Sequence, residues 1–172
     1  MFSFISGTIE SKEANLLVIN CNGVGFELIV SETTNFEVGE VGENAKVHTY
    51  MAVREDAITL FGFANLEEKQ TFLKLINVSG IGGKVAIAIL SAMPVVNLID
   101  AIVTENVRML SSIKGLGKKT AERLIVELKN SFDDIQINML KPTATPINCF
   151  LYDSSRLHIV QNACRTYAWP LA

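Results

Sequence analysis

The feature that most constrains this chain is an internal repeat, in which residues 78–86 can be laid over residues 113–121 at a constant offset of 35 residues. Each copy consists of an apolar residue, a spacer, Gly-apolar-Gly, a second spacer and Lys-x-Ala, which opens an apolar run. Glycines on both sides of an apolar residue permit a tight turn, positive φ and close approach to the main chain. We therefore predict two helix-turn-helix units, with Ile81 and Leu116 packed back between the helices.

Each predicted turn precedes the start of a helix, where free backbone N–H groups and the positive end of the helix dipole favour an anion. A DNA phosphate fits that description, and a lysine stands at the same offset in both copies, as Lys84 and Lys119. The alternative is a corner packed for structural reasons only, and the matched lysines weigh against it. The residues predicted to contact phosphate at the two turns are Gly80, Gly82, Lys84, Gly115, Gly117, Lys118, Lys119 and Thr120.

The helix after the second turn is predicted to have an apolar sector and a cationic face. At about 100° per residue its apolar positions cluster, whereas Lys119 and Arg123 lie on the opposite side. This pair can follow a DNA strand, although Glu122 and Glu127 offer the alternative of an ordinary solvated face. Neither turn fits a nucleotide loop, because Ser or Thr after Gly-Lys and the third dinucleotide-site glycine are both missing. The apolar positions are Ala121, Leu124, Ile125 and Leu128.

Charge is unevenly distributed along the 172 residues, whose net charge is −3. Residues 1–79 hold five Lys/Arg against eleven Asp/Glu, whereas residues 80–130 hold seven against four. Phosphate binding depends on where the cations lie, so the middle third is where DNA contacts are expected. Charge alone favours a merely solvated surface, and the prediction of DNA binding therefore depends on the motifs.

Residues 1–63 have the pattern of a small β structure. Asn22-Gly23 is a strong hairpin signal between two apolar runs, and residues 31–36 are predicted to form a short helical or irregular connection. Five short strands indicate a small barrel or sandwich, and they are predicted at residues 4–9, 16–21, 24–30, 46–53 and 57–63. Residues 66–131 have a helical period, with Asn65 as the N-cap. Residues 132–172 show no clear period, and segment 141–146 has the composition of a linker.

Few residues indicate catalysis, a metal or a membrane. His48 and His158 have no partner at a catalytic spacing, and three scattered cysteines favour a reduced, cytoplasmic compartment over a disulfide framework. The apolar runs are far shorter than the ~20 residues of a spanning helix, and the first residues lack a basic signal region. We expect no catalytic residue, no metal and no cofactor, and hence a protein that is not an enzyme.

Glu55 and Asp56, here called the acidic tip, lie at the end of the hairpin predicted between the last two strands. Adjacent side chains in extended backbone point apart, which makes them a poor metal clamp or acid–base pair. A solvated turn is the common alternative. In a DNA-binding protein, an exposed acidic tip instead repels phosphate and discriminates between DNA structures.

Four segments carry a resemblance to a known family: residues 53–56 (Val-Arg-Glu-Asp), 60–63 (Leu-Phe-Gly-Phe), 86–91 and 115–127. Residues 7–132 resemble the RuvA family, which binds Holliday junctions in bacterial branch migration. The resemblance implies a β barrel plus an all-α part, namely an N-terminal OB-fold at residues 1–63 followed by a tandem helix-hairpin-helix domain at residues 64–141. It also implies a homotetramer that holds four-way junction DNA open in recombination and repair. Glu55 and Asp56 match the family's acidic pin, and Arg54 and Arg123 join the DNA-binding residues.

The family's third domain binds a RuvB-type ATPase motor, and a junction resolvase is a further implied partner; no membrane is implied. Residues 142–172, a linker and tail, are too few for that domain and lack its amphipathic pattern. We expect a truncated, frameshifted or diverged end, so the resemblance does not extend to motor binding.

Two other protein classes use similar elements. A helix-hairpin-helix DNA glycosylase or lyase needs a base-flipping pocket and an Asp or Lys after the hairpin; Asp133 and Asp134 follow it, but the chain is short for such a pocket. A generic OB-fold single-strand DNA binder exposes aromatic rings on its strands. We expect the rings here, Phe26, Tyr50 and Phe61, to belong to the core.

Overall fold

Five strands close into a barrel in the N-terminal half of the chain, in the order β1-β2-β3-β5-β4. The structure is a computed structural model that describes residues 2–55 and 57–129. All neighbouring strands are antiparallel except β3 and β5, which are parallel. The predicted barrel is therefore confirmed. The strands are β1 (Phe4–Glu13), β2 (Leu16–Cys21), β3 (Val24–Val30), β4 (Asn44–Val53) and β5 (Ile58–Phe63), with helix α1 (Glu32–Glu37) between β3 and β4.

Alternation of side chains explains why these residues form strands around a core. Alternate residues of β2 and β3, such as Leu17, Ile19 and Leu28, are fully buried, and their neighbours are more exposed. The turn between them has φ of 52° at Asn22 and 92° at Gly23. Positive φ at both positions is the hairpin geometry that Asn-Gly favours, so this prediction is confirmed.

Among the described residues, five helices follow the barrel: α2 (Leu66–Asn77), α3 (Gly83–Ala92), α4 (Val95–Val103), α5 (Val107–Ser111) and α6 (Lys118–Leu128). The predicted cap is confirmed, because the Asn65 side chain accepts a 2.8 Å hydrogen bond from the Glu68 amide. No single helix within the described ranges is long and apolar enough to cross a bilayer. Only α3 and α4 taken together reach that length and composition, and the chain bends by 98° between them.

The barrel and the helices share a packed boundary. Phe61 and Phe63 of β5 lie in the same buried cluster as the helical core, and their ring centroids are 5.0 Å and 4.8 Å from that of Phe72 on α2. A separate cluster fills the inside of the barrel. The wall of the barrel therefore supplies part of the core of the helical region. The predicted linker and tail at residues 142–172 lie outside the described residues.

A buried carboxylate links α1 to α2. Glu68 is 3% exposed, and its two oxygens accept hydrogen bonds from the hydroxyls of Ser31 and Thr34. Each hydroxyl also accepts a backbone N–H, at 3.0 Å in both cases, from Thr34 and Ala64 respectively. Burial raises the pKa of the Glu68 carboxyl above its ordinary value, and these hydrogen bonds oppose the shift.

Candidate nucleic-acid interface

The two turns predicted from the repeat have the same backbone geometry. The first turn (residues 78–82) joins α2 to α3, and the second turn (residues 113–117) joins α5 to α6. In both, the residue between the glycines is buried, with Ile81 at 5% and Leu116 at 2% exposure. Its amide donates to the carbonyl three residues earlier, at 3.0 Å in each turn. The predicted packing of Ile81 and Leu116 is confirmed.

The two glycines of each turn have different backbone conformations. Gly80 and Gly115 have φ of 94° and 89°, a region that favours glycine. Gly82 and Gly117 are the N-caps of α3 and α6, with φ of −92° and −73°. Positive φ, which the pattern permits at both glycines, therefore occurs only at the first glycine of each turn. What Gly82 and Gly117 provide is space, since a Cβ on either would have no neighbour within 4 Å.

Glycine N-caps leave the first amides of α3 and α6 accessible. Neither cap makes a side-chain hydrogen bond to the helix, so the donors that Ser or Asp would normally satisfy point outward. Lys84, Lys118 and Lys119 are exposed beside these amides, and Thr120 is half-buried. The arrangement has the donors, positive charge and open approach that a phosphate requires.

The cations of this surface are not neutralised by neighbouring carboxylates. Within the described part of the chain, no ion pair within 4 Å joins Lys119 or Arg123 to Glu122 or Glu127. The apolar side of α6 is buried as predicted. The face that carries Lys119 is therefore a cationic surface and not a paired one.

The two turns face one another reciprocally. A Cβ on Gly80 would lie 3.7 Å from Thr120 Cγ2, and one on Gly115 would lie 3.8 Å from Val85 Cγ2. Thr120 and Val85 are themselves 35 positions apart, like the two glycines. Each turn thus faces the first turn of the other copy's second helix, which makes a local pseudo-two-fold arrangement that the repeat alone did not predict.

Arg123 connects the two copies. Its guanidinium donates a 3.3 Å hydrogen bond to the Ser79 carbonyl, which lies in the first turn. The corresponding position in the first copy is Ala88, so the contact is made in one direction only. The phosphate contact predicted for Arg123 stays a prediction, and the structure adds this contact with the other copy.

The spacer position of the repeat also differs between copies for a structural reason. A Cβ on Gly83 would overlap the Phe61 ring of the barrel, so glycine is required where α3 meets β5. The equivalent residue in the second copy, Lys118, is exposed. The first turn therefore packs against the barrel, whereas the second turn has an exposed lysine at the equivalent position. In the sequence, this difference between the copies is visible only as the Gly-Gly pair at residues 82–83.

Strands β4 and β5 form the predicted hairpin, and Glu55 lies at its end. Val53 pairs with Ile58, and the Arg54 amide donates to the Ala57 carbonyl at 2.9 Å. Arg54 and Glu55 are exposed. Asp56 lies outside the described residues.

Comparison with known proteins gives the same division of the chain. Residues 1–62 match the model of the RuvA N terminal domain, and residues 72–130 match the SAM-like helix-hairpin-helix tandem. A protein of Acetivibrio thermocellus is 42% identical over 137 residues, which are 80% of this chain and 68% of that protein. The chain belongs to the RuvA family. A relative from Neisseria meningitidis is 48% identical and one from Chromobacterium violaceum 46%, each over 129 residues, 75% of this chain and 66% of the relative.

All three RuvA relatives bear the name Holliday junction branch migration complex subunit RuvA. The chain spans about two thirds of their length. The resemblance to the RuvA family and the predicted fold class, a barrel followed by a tandem helix-hairpin-helix region, are thus confirmed. The roles assigned to individual glycines, lysines, Arg54 and the acidic tip remain predictions.

Proposed function

We propose that this chain is a non-catalytic, cytoplasmic DNA-binding subunit that holds four-way junctions open during branch migration in recombination and repair. The observation that carries the proposal is the pair of matched turns, each with an uncapped helix start and exposed lysines. The names of the relatives give the junction as the DNA structure.

The proposed grip is independent of DNA sequence. Amides at the starts of α3 and α6 and the lysines beside them contact phosphates, which position a duplex arm without reading its bases. Two turns related by a local pseudo-two-fold contact two backbone segments of one arm. Affinity then depends strongly on salt, because each neutralised phosphate releases counterions.

The proposed assembly is a homotetramer, since four identical subunits match four equivalent arms. Residues 1–63 form its barrel domain with the acidic tip, residues 64–141 grip DNA, and residues 142–172 form a linker and tail. The acidic tips repel phosphate at the centre and so guide the separated strands into different arms. The partners that the family implies are a RuvB-type ATPase motor, bound through a domain that residues 142–172 do not resemble, and a junction resolvase.

The test is a competition among a four-way junction, linear duplex and single strand of the same sequence. We expect the junction to bind at least about tenfold tighter than duplex, a difference of ~1.4 kcal/mol. Preference for single strand would favour a generic OB-fold binder instead, and base excision or strand cleavage would favour a glycosylase or lyase.

The acidic tip is tested in the same assay with Glu55→Gln combined with Asp56→Asn. Removing repulsion should leave junction affinity equal or higher and should raise affinity for duplex, so that discrimination falls. Salt screens such charges at an open centre, and we expect an effect of about 1–2 kcal/mol. Weaker binding of both DNAs, with or without magnesium, contradicts the repulsive role.

A further inference from the structure

A groove of about 580 Å³ separates the β4–β5 hairpin from the first turn. Strand residues alternate between faces, so Tyr50 and Ala52 of β4 and Thr59 and Phe61 of β5 lie on one side of the hairpin and line this groove. The start of α3, at residues 82–85, forms the opposite wall. The groove therefore connects the base of the acidic tip with the predicted phosphate grip of the first turn.

The charge of this groove distinguishes it from two other grooves on the molecule. Its charged lining residues among those described are Arg54 and Lys84, both cations. A second groove, of about 700 Å³, is lined by Glu32 together with Lys84 and Lys114, and a third, of about 120 Å³, is lined by three glutamates. Of these three, the groove beside the hairpin is the one whose described lining has cations and no carboxylate, which suits a phosphate-bearing ligand.

The floor of the groove is aromatic and firmly packed. Tyr50 is half-buried, and its ring centroid lies 5.6 Å from Phe72 and 6.4 Å from Phe61, both of which are buried. Nucleobases stack on such side chains whatever their sequence. A volume of about 580 Å³ also lies within the range of ligand pockets, roughly 300–1,000 Å³, which is adequate for one nucleotide.

We propose that this groove holds one unpaired nucleotide of a strand separated at the crossover, with its base against the Tyr50 side and its phosphate between Arg54 and Lys84. The inference rests on the proposed function and adds to it a ligand for each subunit. A tip that separates strands leaves nucleotides without partners, and unpairing is costly. A groove that takes up the freed base offsets part of that cost.

The test uses junctions with one mismatch at the crossover, so that the nucleotide is unpaired before binding. The control junction has an abasic site in place of that nucleotide, opposite the same base. The two DNAs therefore differ only in the presence of one base. We expect the unmodified chain to bind the base-containing junction about fivefold tighter or more, as stacking of one base on an aromatic side chain predicts.

Two variants of adjacent residues assign the effect to the groove. Thr59→Phe fills it, whereas Ile58→Phe places the same ring on the opposite, 70% exposed side of β5. Thr59→Phe should bind both junctions with equal affinity, and Ile58→Phe should retain the fivefold preference. Both keep a β-favourable side chain, and thermal unfolding checks that they fold.

Equal binding of the two junctions by the unmodified chain overturns the proposal without any variant, while leaving junction binding intact. A preference that survives in folded Thr59→Phe also overturns it, because the base then lies elsewhere. Loss of preference for junction over duplex would instead contradict the proposed function.

Discussion

At the scale of single residues, the two glycines of each turn have different roles. Gly80 and Gly115 have positive φ, so their role belongs to the fold. Gly82 and Gly117 have ordinary extended backbone and open surroundings, so the fold does not require glycine there. Their predicted role is to let a ligand approach the start of the helix. Substitution by the same residue at both kinds of position separates stability from binding.

Substitution of each glycine by serine separates the effect on stability from the effect on DNA binding. Gly82→Ser and Gly117→Ser should raise the free energy of unfolding by a few tenths of a kcal/mol, because Ser is at least as good an N-cap as Gly. They should nevertheless weaken junction binding, since the hydroxyl accepts the amide that a phosphate would use. Gly80→Ser and Gly115→Ser should instead lower the free energy of unfolding by about 1–2 kcal/mol. Chemical denaturation with junction titration measures both, and unchanged binding by Gly117→Ser contradicts the backbone grip.

Lys84 and Lys119 provide a second test at this scale. Lys84→Ala with Lys119→Ala should reduce the slope of log affinity against log salt by about two, one for each lost phosphate contact. Both side chains are exposed, so unfolding should be unaffected. Lys46→Ala is the control, because Lys46 lies at the far end of β4 from Arg54. A slope equal to that of the unmodified chain removes these lysines from the interface.

At the scale of elements, the helical region works as a pair of turns that position one another. Each turn faces the helix start of the other copy, and Arg123 donates a hydrogen bond from α6 to the Ser79 carbonyl. Displacing one turn therefore disturbs the other.

Coupling between the turns is measurable with a double-mutant cycle. Arg123→Ala should weaken junction binding, and its effect should be non-additive with that of Lys84→Ala by about 0.5 kcal/mol or more. Glu122→Ala, the exposed neighbour on α6, should be additive with Lys84→Ala. Additivity for Arg123 would mean that it contacts DNA independently of the first turn.

Sequence reasoning predicted those elements that local signals define. Strands β2 and β3 match the prediction to the residue, because Asn22-Gly23 fixes the register between them. β1 was predicted to end at Ile9 but continues to Glu13, since a register shift between Ile9 and Ser11 interrupts the alternation. The Gly83–Phe61 contact and the Arg123–Ser79 bond join distant segments, and a single sequence carries no local signal for them.

At the scale of the whole molecule, Glu68 makes stability depend on pH. Its raised pKa means that the folded state favours the protonated carboxyl, so its contribution to stability grows as pH falls towards the ordinary Glu value of about 4.3. Glu68→Gln keeps a polar group for the hydroxyls of Ser31 and Thr34 but cannot titrate. The difference in free energy of unfolding, unmodified chain minus variant, should therefore increase from pH 7 to about pH 5. Denaturation at several pH values measures it, and a constant difference contradicts the assignment.

The aromatic packing of β5 has a consequence for how the molecule comes apart. Phe61 and Phe63 belong to the buried cluster of the helices and also to a strand of the barrel. A fragment of residues 64–129 would lack the two rings that cover Phe72. The fragment would therefore expose a hydrophobic surface to solvent. We expect β5 to unfold together with the helices that it packs against, although it belongs to the barrel. In native-state hydrogen exchange, the amides of β5 should therefore open together with those of α2.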